Sequence, residues 1–185
     1  MTFTAVLDAS VLYPLPLRDT LLRVAEAELY DPCWSEQILD EAARNLTADH
    51  RVTEAQASRL LDAMRGAFDP ASVPHETIAR LEPAMTNEAK DRHVLATAVA
   101  SDAQTIVTLN LKHFPSDACR PFAVEPLHPD VFLLDLYDLD PRATYNAVER
   151  QAAALTRPPM TIDELLDRLA ATVPTFAQTL RTFRS

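Results

Sequence analysis

Three acids stand where a folded chain could bring them together. Asp8 ends the apolar run FTAVL, Glu41 lies inside WSEQILDEAARNL, and Asp91 stands at the head of KDRHVLATAVASDA. A further polar cluster, Thr108, Asn110, Lys112 and His113, closes the stretch TIVTLNLKHF. Carboxylates gathered in one cleft repel one another, so either they keep their protons or a cation neutralises them. Mg²⁺ or Mn²⁺ suits such hard oxygen donors, and the chemistry they support most naturally is phosphoryl transfer or phosphodiester hydrolysis. Each acid also has an ordinary explanation. An Asp in the first turn of a helix gains from the helix dipole, which would account for Asp91 as a cap. Glu41 could be a plain exposed helix acid, in competition with Asp40 and Glu36. Asp40 has Arg44 one turn on, the spacing of an exposed ion pair, whereas Glu41 shares a face with Ile38, Ala42 and Asn45 at the margin of a buried stripe.

The elements that must position these residues follow from periodicity. Residues 3–7 form a short, continuously apolar run typical of a buried strand, with Asp8 at its C-terminal end. LRDTLLRVAEAEL repeats apolar residues at a helical period. Ser35 is an N-cap for EQILDEAARNL, and Trp34 before it fits a hydrophobic staple. Thr53 with Gln56 forms a capping box opening AQASRLLDAMRGAF, so three helices are expected after the first strand. KDRHVLATAVASDA carries its stripe at Val94, Leu95, Ala98 and Val99, which places Asp91 in the first turn on the buried face. The strand TIVTL follows, a third strand is expected near PFAVEP, and HPDVFLLDLYDL reads as another helix. Strands joined by helical crossovers predict an α/β fold, a central parallel sheet flanked by helices in three layers. Ligands of such sheets collect outside the C-terminal strand ends, where Asp8 and Asn110 both fall. Pro158 and Pro159 set off a last piece, in which Thr161 and Glu164 form a second capping box and Pro174 splits two short helices. This tail either packs back on the domain or offers a surface to a partner. The division expected is a domain over 1–140 and a helical extension over 141–185.

Composition narrows the function. A chain of 185 residues, 48% hydrophobic and 24% charged, can bury a substantial core. Its single glycine, Gly66, excludes Walker-type and GxGxxG phosphate loops, which need several. A formal charge of −10 disfavours a sequence-independent nucleic-acid binder but not a nuclease whose acids hold cations. The two cysteines, Cys33 and Cys119, lack CxxC spacing and read as free thiols in a reducing compartment. The five histidines, His50, His75, His93, His113 and His128, show no HxxxH or HExxH spacing, so no zinc site is expected. Asp130, Asp135, Asp138 and Asp140 lack calcium-loop spacing and read as a capped, solvated helix. No run approaches the roughly 18 apolar residues of a membrane helix. The expected location is the cytoplasm, with no membrane association.

LDASVLYP, WSEQILDEAARNL, KDRHVLATAVASDAQTIVTLNLKHFP and HPDVFLLDL together resemble the PIN-domain family, whose bacterial members include the VapC-type ribonuclease toxins of toxin–antitoxin pairs. The similarity runs from about residue 3 to about residue 136, and the remaining tail resembles an extension found in one PIN subgroup. The resemblance implies a compact α/β fold, an acidic pocket binding Mg²⁺ or Mn²⁺, and hydrolysis of RNA leaving a 5′-phosphate. The family's acids fall on Asp8, Glu41 and Asp91, its hydroxyl two residues after the first acid on Ser10, and its strand-end polar residue on Thr108. A fourth acid is commonly found at the Asn110 position or a few residues later, where His113 stands. Asn110 can orient a water or a neighbouring carboxylate but supplies no charge.

Three carboxylates against one dication leave a single negative charge, so one tightly held metal is expected before substrate arrives. Ser10 and Thr108 fit supporting hydrogen-bond roles better than nucleophilic ones, since no His or Lys base stands beside them in a recognisable motif. Arg92 and Lys112 flank the pocket in sequence and could hold substrate phosphates. The expected function is a metal-dependent endoribonuclease, with RNA as substrate and a DNA-binding antitoxin as partner, compatible with a homodimer. The alternative is a binding or scaffold protein on the same fold whose catalysis is weakened by Asn110. A receiver-like phosphoacceptor is disfavoured, because only Asp8 follows the first strand where an acidic pair is needed.

Overall fold

Strands buried on both faces need unbroken apolar runs, and two such runs form the centre of this sheet. The computed structural model describes residues 3–48, 52–69 and 71–183; His50 lies outside them. Its strands are β1 (Thr4–Leu7), β2 (Asp31–Ser35), β3 (Ser72–Val73), β4 (Thr105–Val107) and β5 (Glu125–Leu127). All pairings are parallel, in the order β3-β2-β1-β4-β5. β1 and β4 are central neighbours with Leu7 opposite Val107, so Asp8 and Thr108 leave the sheet side by side. Ala5, Val6, Leu7, Ile106 and Val107 are fully buried. Each larger aliphatic among them stabilises the fold by about 1.5–3 kcal/mol relative to exposure.

Among the described residues, five strands stand where three were expected. β2 was hidden because DPCWS opens on Asp and Pro, residues depleted from strands; Pro32 nonetheless takes a register position opposite Ala5. Trp34, expected only as the residue before a helix cap, is a strand residue as well. It is fully buried within β2 and packs edge-to-face on Phe68 at 6.0 Å between ring centroids. Ser35 closes the strand and also caps the next helix, its Oγ accepting from the Ile38 N–H at 3.2 Å. β3 has two residues, too few to carry a periodicity. The strand expected near PFAVEP lies slightly later, because a 3-10 turn takes Arg120–Phe122.

The helices are α1 (Ala9–Leu12), α2 (Leu15–Glu26), α3 (Glu36–Ala48), α4 (Glu54–Ala67), α5 (His75–Leu81), α6 (Arg92–Ala100), α7 (Ser116–Cys119), α8 (Pro129–Leu139), α9 (Pro141–Ala154), α10 (Ile162–Leu169) and α11 (Pro174–Phe183). α6 packs across β1, β2 and β4, which is why the stripe through Val94, Leu95 and Ala98 is fully buried. The Thr53–Gln56 and Thr161–Glu164 capping boxes both form. The tail packs back. α9 lies along α2, where Thr20 Oγ1 donates to Gln151 Oε1 at 2.7 Å and Gln151 Nε2 donates to the Pro16 carbonyl at 3.0 Å. Pro174 opens α11, whose free N–H groups at Thr175 and Phe176 donate to the Asp130 carboxylate on α8 at 3.2 and 2.8 Å. No helix among the described residues is long and apolar enough to cross a membrane.

Candidate active site

At the C-terminal edge of the sheet the chain leaves β1 through Asp8 and β4 through Thr108. Asp8 is buried, and its Oδ2 accepts two hydrogen bonds, from Ser10 Oγ at 2.6 Å and Thr108 Oγ1 at 2.7 Å. Each hydroxyl in turn accepts a backbone N–H, Ser10 from Leu109 and Thr108 from Asn110, both at 3.0 Å. A hydroxyl has one hydrogen to donate, and both are committed to the carboxylate. Ser10 and Thr108 therefore support Asp8, and among the described residues neither is hydrogen-bonded to a His or Lys that would make it a nucleophile. The same network staples the β1 and β4 exits together and leaves Asp8 Oδ1 without a hydrogen bond among the described residues.

Asp91 ends a 3-10 turn, Ala89–Asp91, that leads into α6. It is buried and makes no side-chain capping bond, so the ordinary capping explanation does not hold for it. Burial pushes its carboxyl above the usual Asp range, and the charge of Asp8 pushes it further. Glu41, on α3, is half-buried. Its carboxyl is raised as well, first by desolvation and then by the charges of Asp8 and Asp91. The charge of Asp8 thus acts on both other acids, and that of Asp91 acts on Glu41. Among the described residues, however, no three His, Cys, Asp or Glu side chains are already gathered into a ready-made metal cage.

Two histidines stand among these acids. His93 Nε2, buried on α6, lies 3.7 Å from Glu41 Oε2, beyond hydrogen-bond reach, and burial lowers its basicity. His113 Nδ1 lies 2.8 Å from Asp91 Oδ2. Arg44 and Lys90 are the cations whose charge reaches Glu41. Arg44 was expected to pair with Asp40, but no such ion pair forms among the described residues, and the Arg44 charge acts on Glu41. Lys90 was legible only as the neighbour of Asp91. Of the expected phosphate holders, Arg92 donates from Nε to the Asn87 carbonyl at 3.4 Å, while Lys112 is exposed in the 3-10 turn Leu111–His113. Asn110 is half-buried in the same loop and contributes its backbone N–H to Thr108. A cavity of about 670 Å³ opens at the opposite sheet edge, beside Thr4, Asp31 and Ser72, and touches none of these residues.

Residues 4–112, more than half of the 185-residue chain, match the family model described as the PIN domain. The chain belongs to the PIN-domain family. Residues 129–182 of this PIN protein match a second model, the VapC50 C-terminal domain. A 98-residue segment is 51% identical to the Mycobacterium tuberculosis (strain ATCC 25618 / H37Rv) protein named "Putative ribonuclease VapC50", a match covering 53% of this chain and 58% of that one. The match thus takes in little more than half of either chain's length. No solved structure matches at a significant level.

Proposed function

We propose that this PIN protein is a metal-dependent endoribonuclease and the toxin of a toxin–antitoxin pair. What supports the reading is the Asp8 carboxylate, buried at the C-terminal sheet edge and held by two hydroxyls, whose charge acts on the carboxyls of both Glu41 and Asp91. Two partly desolvated carboxyls, Glu41 and Asp91, both raised further by the charge of Asp8, suit a hard dication. Asp8, Glu41 and Asp91 would hold Mg²⁺ or Mn²⁺, which when bound supplies charge neutralisation at a scissile phosphate and a more acidic water. The chain's own residues do the rest. Ser10 and Thr108 fix the Asp8 carboxylate, Asn110 stands in the loop where it can orient a water, and Arg92 and Lys112 offer positive charge to flanking phosphates.

The family membership and the identity to a protein named as a ribonuclease support RNA as the substrate. An acidic protein with its acids at one edge suits an antitoxin whose inhibitory segment is basic, a partner that would also carry a DNA-binding domain, in the cytoplasm. The extension from about residue 141 is assigned a supporting role against α2. Incubation of the purified chain with RNA and Mg²⁺ or Mn²⁺ is expected to give products with 5′-phosphates. Chelation or Asp8→Asn should lower the rate by at least about a thousandfold. Metal-independent cleavage, or an Asp8→Asn variant as active as wild type, would overturn the enzyme. RNA or antitoxin binding without cleavage would favour the scaffold reading, for which the absent fourth acid at Asn110 is the motive.

A further inference from the structure

Asp91 Oδ2 and His113 Nδ1 approach to 2.8 Å, yet neither atom makes a hydrogen bond to the other or to anything else among the described residues, and both are shut off from solvent. Two buried polar atoms left this way are costly, and such groups in native folds point to something that completes them. Donors bound at right angles to one octahedral ion, each at about 2.1 Å, are about 3 Å apart and have no reason to lie on a hydrogen-bonding line. The Asp91–His113 pair has that separation and that misalignment. The backbone sets the pair in place independently of its side chains. The Glu88 N–H donates to the His113 carbonyl at 3.2 Å, tying the turn that carries Asp91 to the turn that carries His113.

We propose that His113 would bind the metal of this site through Nδ1, beside Asp91 Oδ2. The centre is then three carboxylates and one imidazole, and it selects Mn²⁺ over Mg²⁺. The inference rests on the metal-dependent reading above and sharpens it. Mg²⁺ holds out for oxygen ligands in tight octahedral geometry, whereas an imidazole nitrogen favours transition dications. A neutral imidazole also adds a donor without adding charge, so the cation meets the same three negative charges. Asp8 Oδ1, free of hydrogen bonds among the described residues, and Glu41, half-buried on α3, are the oxygens that would close on an ion seated at the pair. His93 is the other imidazole within the cluster and serves as the control.

The test loads the 185-residue chain with Mn²⁺ alone and reads it by pulsed electron paramagnetic resonance, with Mn²⁺ and Mg²⁺ affinities measured by calorimetry. Wild type and His93→Gln are expected to show ¹⁴N modulation of the bound Mn²⁺. In His113→Asp, and in His113→Gln as a second variant, that modulation should vanish. In His113→Asp the ratio of Mn²⁺ to Mg²⁺ affinity should fall by at least about tenfold. Bound Mn²⁺ with no ¹⁴N modulation in the wild type would overturn the proposal and leave the metal-dependent reading standing. Modulation that survives in His113→Asp but disappears in His93→Gln would assign the nitrogen to the wrong histidine and overturn it equally. Failure of the wild type to bind either ion would overturn both readings.

Discussion

Asp91 carries its charge at a thermodynamic cost, and the cost has a sign that can be measured. Its folded carboxyl is held above the ordinary Asp value by burial and by Asp8. A raised carboxylate pKa destabilises the metal-free fold once the group is ionised. The penalty is complete above the folded pKa, shrinks as pH falls through it, and is gone below the unfolded value of about 3.9. Asp91→Asn removes the charge while keeping the shape. Without added metal, the variant should melt above wild type at pH 7, by about 2–4 °C for each kcal/mol recovered in a chain of this size, and the gap should close below about pH 4. A variant that melts lower than wild type at pH 7 would mean that the acids are not in conflict. Much of this residue-level conflict was legible in sequence, since Asp91 precedes a buried stripe by three, four and seven residues. What was not legible is which cations attend the acids, or that His93 lies beside Glu41. Arg44 reads as a partner of Asp40 from spacing alone, because the i,i+4 rule knows nothing of what lies across from the helix.

At the level of elements, local chemistry was readable wherever it closed on itself. Both capping boxes involve residues three apart, and both form. β2 was unreadable because its identity comes from its neighbours. Asp31 and Pro32 are poor strand residues, held in the ladder by pairing with Thr4 and Ala5. Asp130 shows the same limit from the opposite side. It sits in the first turn of α8 and looks like a solvated acid, but its carboxylate receives the two leading N–H groups of α11, a helix that begins more than forty residues later. Capping across elements has the same energetics as capping within one, about 1 kcal/mol. Asp130→Ala should therefore lower the melting temperature by about 2–4 °C and raise amide exchange selectively over residues 174–183. Uniform exchange changes, or none, would show that α11 is held by its apolar face alone.

For the molecule as a whole, the decisive fact is that one hydrophobic cluster runs from Ala5 and Leu7 of the central strand through Tyr145, Val148, Leu165 and Phe176 to Leu180. The order of strands and the placing of α9 on α2 had no signal in a single sequence, because periodicity says which face is buried and not against what. The tail's amphipathic stripes left two outcomes open, and the shared core decides between them. Its buried residues meet those of α2 and α8, and the Thr20–Gln151 bond adds a polar lock that is satisfied only when both segments are folded. Separating the segments would expose apolar surface on each and leave Gln151, buried at α9, without its partners. The two family matches, over 4–112 and 129–182, therefore need not correspond to two folding units. Differential scanning calorimetry of the full chain is expected to give one transition, with calorimetric and van't Hoff enthalpies in agreement. A chain ended at residue 140 should lose that transition or melt well below it. Two resolved transitions in the full chain, with the shortened chain reproducing one of them unchanged, would show that the contacts of α9 with α2 join two independently stable bodies.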